Sequence, residues 1–127
     1  MRREQPSNIS ETCDHCRKDS HRMLRNLDQK VYVIMILNSN DTHDHVFGEL
    51  NLYAPLVSVG SYCVVFDTVI ESLDSVDFVD HSWGKGNNSK TVVVEFFKTN
   101  SDFVVDYSID EKLLISAAPG GYLKRVK

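Results

Sequence analysis

The chain is poor in the residues that several common architectures require. It has three cysteines, three prolines and one tryptophan among its 127 residues. A small, odd number of cysteines argues against a secreted fold held by disulfides. No apolar run approaches the roughly 20 residues of a transmembrane helix, and residues 1–11 lack the hydrophobic stretch of a signal peptide. We therefore expect a cytoplasmic protein with no membrane partner.

An excess of positive charge is also missing. The net charge is −4; residues 1–30 hold seven Lys/Arg against five Asp/Glu, and residues 31–127 hold seven against thirteen. A nucleic-acid surface needs a clustered basic face, so the composition indicates no nucleic-acid partner. With 42% hydrophobic and 25% charged residues, the chain suits one small globular domain. We assign residues 1–30 to a polar N-terminal segment with a helix over residues 10–27, and residues 31–127 to the folded domain.

Apolar periodicity divides the first part of this domain into strand, helix and strand. Residues 30–37 and 61–69 are continuous apolar runs bounded by polar residues, which is typical of buried parallel strands. Between them, Asp41 or Thr42 can cap an amphipathic helix that ends before Pro55. A strand, helix and strand with short links predict parallel strands joined by a right-handed crossover.

The second part of the domain is less clear. Residues 70–88 form a long polar loop. Residues 91–97 fit a strand by their valine content and a helix by their spacing, and we predict a helix because a further strand needs a crossover. Residues 103–108 and 112–117 then fit an antiparallel hairpin. The predicted order is α-β-α-β-α-β-β.

Polar residues follow both predicted parallel strands. Residues 38–45 read Asn-Ser-Asn-Asp-Thr-His-Asp-His, and Asp67 follows the second strand. The carboxyl ends of parallel strands meet at one edge of a sheet, where ligands bind. We therefore take Asn38, Asp41, His43 and Asp67 as candidate site residues. Each also has an ordinary structural interpretation, as a helix cap or as a hydrogen-bonding loop residue.

Other motifs carry less chemistry. Cys13 and Cys16, with His21 beyond, have zinc-like spacing, but the second ligand pair of a zinc finger is missing, so we interpret them as incidental. Residues 84–86 read Gly-Lys-Gly without the spacing of a phosphate-binding loop, and we interpret them as part of a mobile loop anchored by Trp83. No Gly-x-Ser-x-Gly motif indicates a hydrolase.

Longer motifs carry a family resemblance. They are residues 37–46 (LNSNDTHDHV), 49–50, 52–58 (LYAPLVS), 60–62, 64–68 (VVFDT), 83–88 (WGKGNN) and 121–125 (GYLKR). From about residue 31 to the C-terminus, the chain closely resembles the cephalosporin hydroxylase and rhamnosyl O-methyltransferase family of class I methyltransferases. The resemblance implies an α/β, Rossmann-like half-domain with parallel strands, a C-terminal antiparallel hairpin and helices on both faces.

The resemblance also implies an activity: S-adenosylmethionine-dependent methyl transfer to a hydroxyl of a sugar or natural product, assisted by Mg²⁺. The implied metal ligands fall on Asn38, Phe66 and Asp67. Asn38 and Phe66 replace acids of the family pattern, so we expect a degraded metal site held by Asn38 and Asp67, because a hard cation prefers carboxylate oxygens. Asp41 stands where the family has a proton-accepting histidine, and we assign catalytic roles to Asp41 and His43.

The cofactor site of such enzymes lies in the first strand, its glycine-rich turn and a ribose-binding acid. Residues before Val31 do not supply these features, so the cofactor-binding residues are unknown and we expect the C-terminal half of a methyltransferase: a truncated copy, a split subunit or a relic. The expected partners are a small-molecule or saccharide acceptor and a homo-oligomer or a complementary N-terminal half. The alternative functions are a catalytically silent binding or assembly protein and a degenerate fragment of the family.

Overall fold

A four-stranded mixed sheet organises the chain. The computed structural model describes residues 18, 22, 32–74 and 80–127. In chain order its elements are β1 (Met35–Leu37), α1 (His43–Tyr53), β2 (Tyr62–Val65), α2 (Ser89–Thr99), β3 (Phe103–Val105), α3 (Tyr107–Leu113) and β4 (Tyr122–Arg125), with 3-10 helices at Ala54–Leu56 and Thr68–Ser72. Lys18 and Arg22 are helical, as predicted; the rest of the predicted N-terminal helix lies outside the described residues.

The predicted strand, helix and strand unit is confirmed. β1 and β2 are parallel, with Leu37 opposite Val65, although both strands are shorter than predicted. The predicted side-chain cap of α1 is wrong. Thr42 is the N-cap residue but its side chain makes no capping hydrogen bond, and the His43 amide instead donates to Asn87 Oδ1 at 2.8 Å. A residue distant in sequence has taken the capping position.

The helix interpretation of residues 91–97 is also confirmed. Helix α2 begins after Asn88, whose side chain accepts hydrogen bonds from the amides of Lys90 and Thr91. Its apolar residues Val92, Val93 and Phe96 are buried, as expected for a crossover helix that packs on the sheet.

The C-terminal antiparallel hairpin is confirmed, but the position predicted for its second strand is wrong. Residues 107–113 form α3, which starts where the Asp106 side chain accepts a hydrogen bond from the Ser108 amide at 3.2 Å. The strand that pairs with β3 is β4, which lies between β2 and β3 in the order β1-β2-β4-β3. The apolar run at Leu114 and Ile115 is 89% and 92% exposed, so it does not enter the sheet.

One face of the sheet forms the core with α1 and α2. Its buried side chains include Leu37, Cys63, Val65, Phe103 and Leu123 from the strands, Val46 and Leu50 from α1, and Val92, Val93 and Phe96 from α2. Burial raises the pKa of Cys63 to about 12, so this thiol is a packing residue rather than a nucleophile.

The opposite face is largely open along its first strand. Tyr32, Ile34 and Ile36 occupy alternate positions and are 70%, 55% and 61% exposed. Ile36 lies in β1, and Tyr32 and Ile34 lie in the segment before it, where exposed and less exposed residues continue to alternate. Neither α1 nor α2 covers these three side chains. Of the helices expected on both faces, the two long described ones lie on the same face.

Candidate functional site

Two aspartates meet where the parallel strands end. The Phe66 amide donates to the Leu37 carbonyl at 3.0 Å, so Asn38 and Phe66 leave the sheet side by side. Asp67 then adopts a left-handed conformation with φ of 58° and precedes the 3-10 helix at Thr68–Ser72. It lies close enough to Asp41 for its charge to raise the pKa of the Asp41 carboxyl group. The polar residues that follow β1 and β2 therefore share one edge of the sheet, as predicted.

The environment of Asp41 favours its protonated form. Burial raises the pKa of Asp41, and the negative charge of Asp67 and a hydrogen bond between the two carboxyl groups raise it further. A like charge and desolvation both disfavour an ionised carboxylate. A carboxylate with a raised pKa accepts a proton near neutral pH better than an ordinary one does.

Two hydrogen bonds hold the loop that carries Asp41. The Thr42 amide donates to Asn40 Oδ1 at 3.1 Å, and the His43 amide donates to Asn87 Oδ1 at 2.8 Å. One bond closes a turn around Asp41, and the other attaches the first residue of α1 to the segment before α2. These two hydrogen bonds restrain the backbone on the C-terminal side of Asp41.

The His43 ring contacts α2. Nδ1 lies 2.7 Å from Thr91 Oγ1, Nε2 lies 2.9 Å from Glu95 Oε2, and the ring stacks on Phe47 with centroids 5.8 Å apart. Both ring nitrogens have partners on α2, which is an ordinary arrangement for a histidine that joins two helices. The catalytic role assigned to His43 stays a prediction.

A second polar cluster lies next to Asn38 and was missed in the sequence. The Ser39 hydroxyl donates to Glu49 Oε1 at 2.9 Å, and His45 Nε2 lies 3.2 Å from Ser39 Oγ and 3.3 Å from Glu49 Oε1. The same ring nitrogen faces both partners, so these residues do not form the relay of a serine hydrolase. The spacing of His45 and Glu49, four residues apart on a helix, is the signal that indicates their contact.

A turn over residues 84–88, which we call the cap turn, was also missed as part of the site. Gly84 and Asn87 exchange backbone hydrogen bonds at 3.0 Å. Glu71 Oε2 accepts from the Gly86 amide at 2.9 Å and from Asn88 Nδ2 at 2.5 Å, and the bonds from Gly86 and then Asn88 hold the pKa of Glu71 below its ordinary value. The cap turn is thus bonded to the 3-10 helix after Asp67 and, through Asn87, to α1.

The residues present do not fit the Mg²⁺ site that the resemblance implies. Of the three positions, Asn38 offers an amide, Phe66 a phenyl ring and Asp67 a carboxylate. In the described parts of the chain, no group of three or more His, Cys, Asp or Glu residues is arranged to hold a metal ion. Mg²⁺ requires a near-octahedral set of oxygen ligands and usually a carboxylate pair. The zinc-like residues Cys13, Cys16 and His21 lie outside the described residues.

The described residues also lack the cradle expected for the cofactor. Such a cradle is a glycine-rich turn that directly follows a strand and opens a helix. Gly60 precedes β2, and Gly84 and Gly86 lie in the cap turn, which follows no strand of the sheet.

Comparison with known proteins gives one match. A model of the family described as rhamnosyl O-methyltransferase/CmcI matches residues 14–126, which is most of the chain. Searches of the curated proteins and of the solved structures gave no significant match. Across the residues that the structure describes, the helices are too short or too polar to span a membrane.

Proposed function

This chain belongs to the rhamnosyl O-methyltransferase/CmcI family, and we propose that it serves S-adenosylmethionine-dependent methyl transfer to a hydroxyl group of a saccharide or related natural product. The proposal rests on one observation: Asp41 and Asp67 are close enough to interact electrostatically at the carboxyl edge of two parallel strands. Ligand sites of open α/β sheets lie at this edge.

Methylation of a hydroxyl requires a group that takes its proton. The protein's part would be to hold the acceptor hydroxyl and to take up the proton that its oxygen gives up. S-adenosylmethionine supplies the reactive methyl group when bound. On this chain, Asp41 is the base, since its raised pKa makes it a stronger base than an ordinary aspartate. Asp67 increases the proton affinity of Asp41, and in this proposal Asn38, which follows β1, hydrogen-bonds the acceptor.

Mg²⁺ has no role in this proposal, because Asn38 and Phe66 do not supply the carboxylates that it needs. The proton chemistry falls to the aspartate pair alone. We propose that a complementary N-terminal half holds the cofactor, since the described residues contain no glycine-rich turn between a strand and a helix.

The test is a methyl-transfer assay with labelled S-adenosylmethionine and a panel of glycosides, using the wild-type chain, Asp41→Asn and Asp67→Asn, each combined with a complementary N-terminal half from a family methyltransferase. We expect both variants to lose about 100-fold or more of the transfer rate, the typical contribution of a general base. Asp44→Asn is the matched control, because Asp44 is an exposed carboxylate of the same helix turn, and it should retain activity. Added EDTA should change nothing.

Two results would overturn the proposal: no transfer by the wild-type chain to any glycoside, or full activity in Asp41→Asn. Isothermal titration with S-adenosylmethionine, with and without Mg²⁺, tests the cofactor directly. Binding only in the presence of Mg²⁺ would contradict the metal-free mechanism.

A second candidate is a catalytically silent assembly protein that keeps the family fold. The exposed apolar residues Tyr32, Ile34 and Ile36 favour it, because exposed apolar patches mark interaction surfaces. Absence of cofactor binding together with association in solution would favour this candidate over the first.

A further inference from the structure

The single tryptophan of the chain lies in a stacked aromatic pair. Trp83 and His81 have ring centroids 4.4 Å apart and planes only 10° from parallel. Both residues precede the cap turn and lie outside the helices and the sheet strands. His81 is exposed and Trp83 is partly buried, so the pair lies at the surface of the protein rather than in the core.

The stacked pair is attached to the structure that surrounds Asp41 and Asp67. Asn87 Nδ2 donates to the carbonyl of Ser82, which lies between the two rings in the sequence, at 2.9 Å. The Oδ1 atom of the same Asn87 accepts from the His43 amide, two residues after Asp41. One side chain therefore joins the aromatic pair to the helix turn that follows Asp41.

The other side of the cap turn faces the segment that carries Asp67. Gly86 and Asn88 donate to Glu71, which lies four residues after Asp67. The cap turn is thus hydrogen-bonded to both segments that carry the carboxyl pair. Trp83 directly precedes Gly84, the first residue of this turn. Any movement of the aromatic pair is limited by hydrogen bonds to both sides of the site.

We propose that the His81–Trp83 pair is the surface on which the sugar ring of the acceptor packs while its hydroxyl faces Asp41 and Asp67. The inference rests on the proposed function and names the part of the site that selects a ring-shaped saccharide. The axial C–H groups of a pyranose form an apolar patch that packs on an aromatic face, while its hydroxyls remain free for polar groups. Ligand sites commonly combine aromatic walls with a few polar groups in this way.

The test uses Trp83 as its own reporter, since no other tryptophan contributes to the emission. The chain is titrated with methyl α-L-rhamnopyranoside and, as a control, with sorbitol, which has hydroxyls but no ring. We expect a saturable change in tryptophan emission with the pyranoside and none with sorbitol. Equal responses to the two, or no response to pyranosides, would overturn the proposal. Binding of a simple phenol in place of pyranosides would also overturn it.

Variants identify the surface by calorimetry, which does not depend on fluorescence. Trp83→Leu should weaken pyranoside binding about three- to tenfold, the usual worth of an aromatic contact, and Trp83→Phe should restore most of the loss. Tyr107→Leu is the matched control, because Tyr107 is an exposed aromatic residue of α3, and it should bind as the wild type does. Unchanged binding in Trp83→Leu would overturn the proposal.

These measurements need neither the cofactor nor turnover, so the two proposals can fail separately. Pyranoside binding without methyl transfer would overturn the proposed function and support this surface. If the Trp83→Leu variant methylates glycosides as fast as the wild type does, the proposed function is supported and the proposed sugar-binding role of the His81–Trp83 pair is overturned.

Discussion

At the scale of single residues, the properties of Asp41 depend on its neighbours. An isolated aspartate has a pKa of about 3.9 and is a weak base for a hydroxyl proton. Burial and the Asp67 carboxyl group raise the pKa of Asp41. The sequence alone therefore suggests a weaker base than the folded protein provides.

A raised carboxyl pKa has a consequence for stability. Above its folded-state pKa, Asp41 carries a charge that folding disfavours, and below its unfolded-state pKa this penalty is absent. Asp41→Asn should therefore stabilise the protein at neutral pH, by about 0.5 kcal/mol for a partly exposed, screened pair. The gain should fade as pH falls through the carboxyl range. Chemical denaturation at pH 7 and at low pH measures both effects.

The control for this prediction is Asp44→Asn. Asp44 is exposed in the first turn of α1, where a negative charge is favourable, so its removal should cost about 0.3 kcal/mol. The two substitutions are expected to have opposite signs at neutral pH. A loss of stability in Asp41→Asn at pH 7 would contradict the account of the carboxyl pair.

Two glycines make a second contrast at this scale. A Cβ atom at Gly121 would lie 2.2 Å from the Val65 carbonyl oxygen, whereas one at Gly48 meets nothing within 4 Å. Gly121→Ala should cost about 3 kcal/mol, because backbone in the sheet must shift. Gly48→Ala should add about 0.5–1 kcal/mol, because Gly48 lies within α1 and alanine favours the helix. Thermal unfolding of both variants checks the pair, and similar losses would contradict the packing described.

The sequence identified Asp41 and Asp67 because each lies among the polar residues that follow an apolar segment predicted as a strand. It did not reveal Glu71 or the cluster of Ser39, His45 and Glu49. The partners of Glu71 lie 15 and 17 residues away, and such contacts depend on how the intervening chain turns, which no local pattern encodes.

At the scale of elements, the correct predictions depend on local sequence signals, and the wrong ones concern features that depend on distant parts of the chain. The first strand, α1 and β2 follow from periodicity and from Pro55, which are local signals. The second strand of the hairpin was predicted at residues 112–117 because this segment is apolar. In the structure, Asp106 caps a helix that covers the start of this segment, and the helix ends at Leu114, which has a φ of 60°. Leu123 was the better signal, since it is a buried residue between polar neighbours near the C-terminus.

Helix α2 begins at a residue that has two roles. Asn88 accepts from the amides of Lys90 and Thr91, as an N-cap does, and its Nδ2 donates to Glu71 and to the Gly84 carbonyl. Asn88→Ala should cost about 2 kcal/mol, because a cap is lost and buried acceptors remain unpaired. Denaturant unfolding measures this loss.

Asn88→Asp separates the two roles. Aspartate caps helices as well as asparagine does, so a pure cap would tolerate the change. Because Nδ2 faces the Glu71 carboxylate, the substitution should instead destabilise the protein at pH 7, and acid should restore part of the loss as the new carboxyl pair gains a proton. Wild-type stability at pH 7 would show that the contact with Glu71 contributes nothing.

At the scale of the whole molecule, the described sheet is asymmetric. One face is covered by α1 and α2, and β1 stands at one edge with only β2 beside it. Edge strands with exposed apolar residues readily pair with other chains. The exposed residues Tyr32, Ile34 and Ile36 lie in β1 and in the segment just before it, so within the described residues β1 has both an unpaired edge and exposed apolar neighbours.

We therefore predict that the chain associates in solution through β1 and that Ile36→Lys shifts it toward the monomer. A lysine on an edge strand opposes pairing and remains solvated at a position that is 61% exposed, so folding should be preserved. Val94→Lys is the control, because Val94 is 56% exposed but lies on α2, away from the edge. Sedimentation velocity over a range of concentrations, with circular dichroism to confirm the fold, measures the outcome. A wild-type chain that is monomeric at every concentration would contradict this prediction. It would also remove the argument that the exposed residues of β1 support an assembly function.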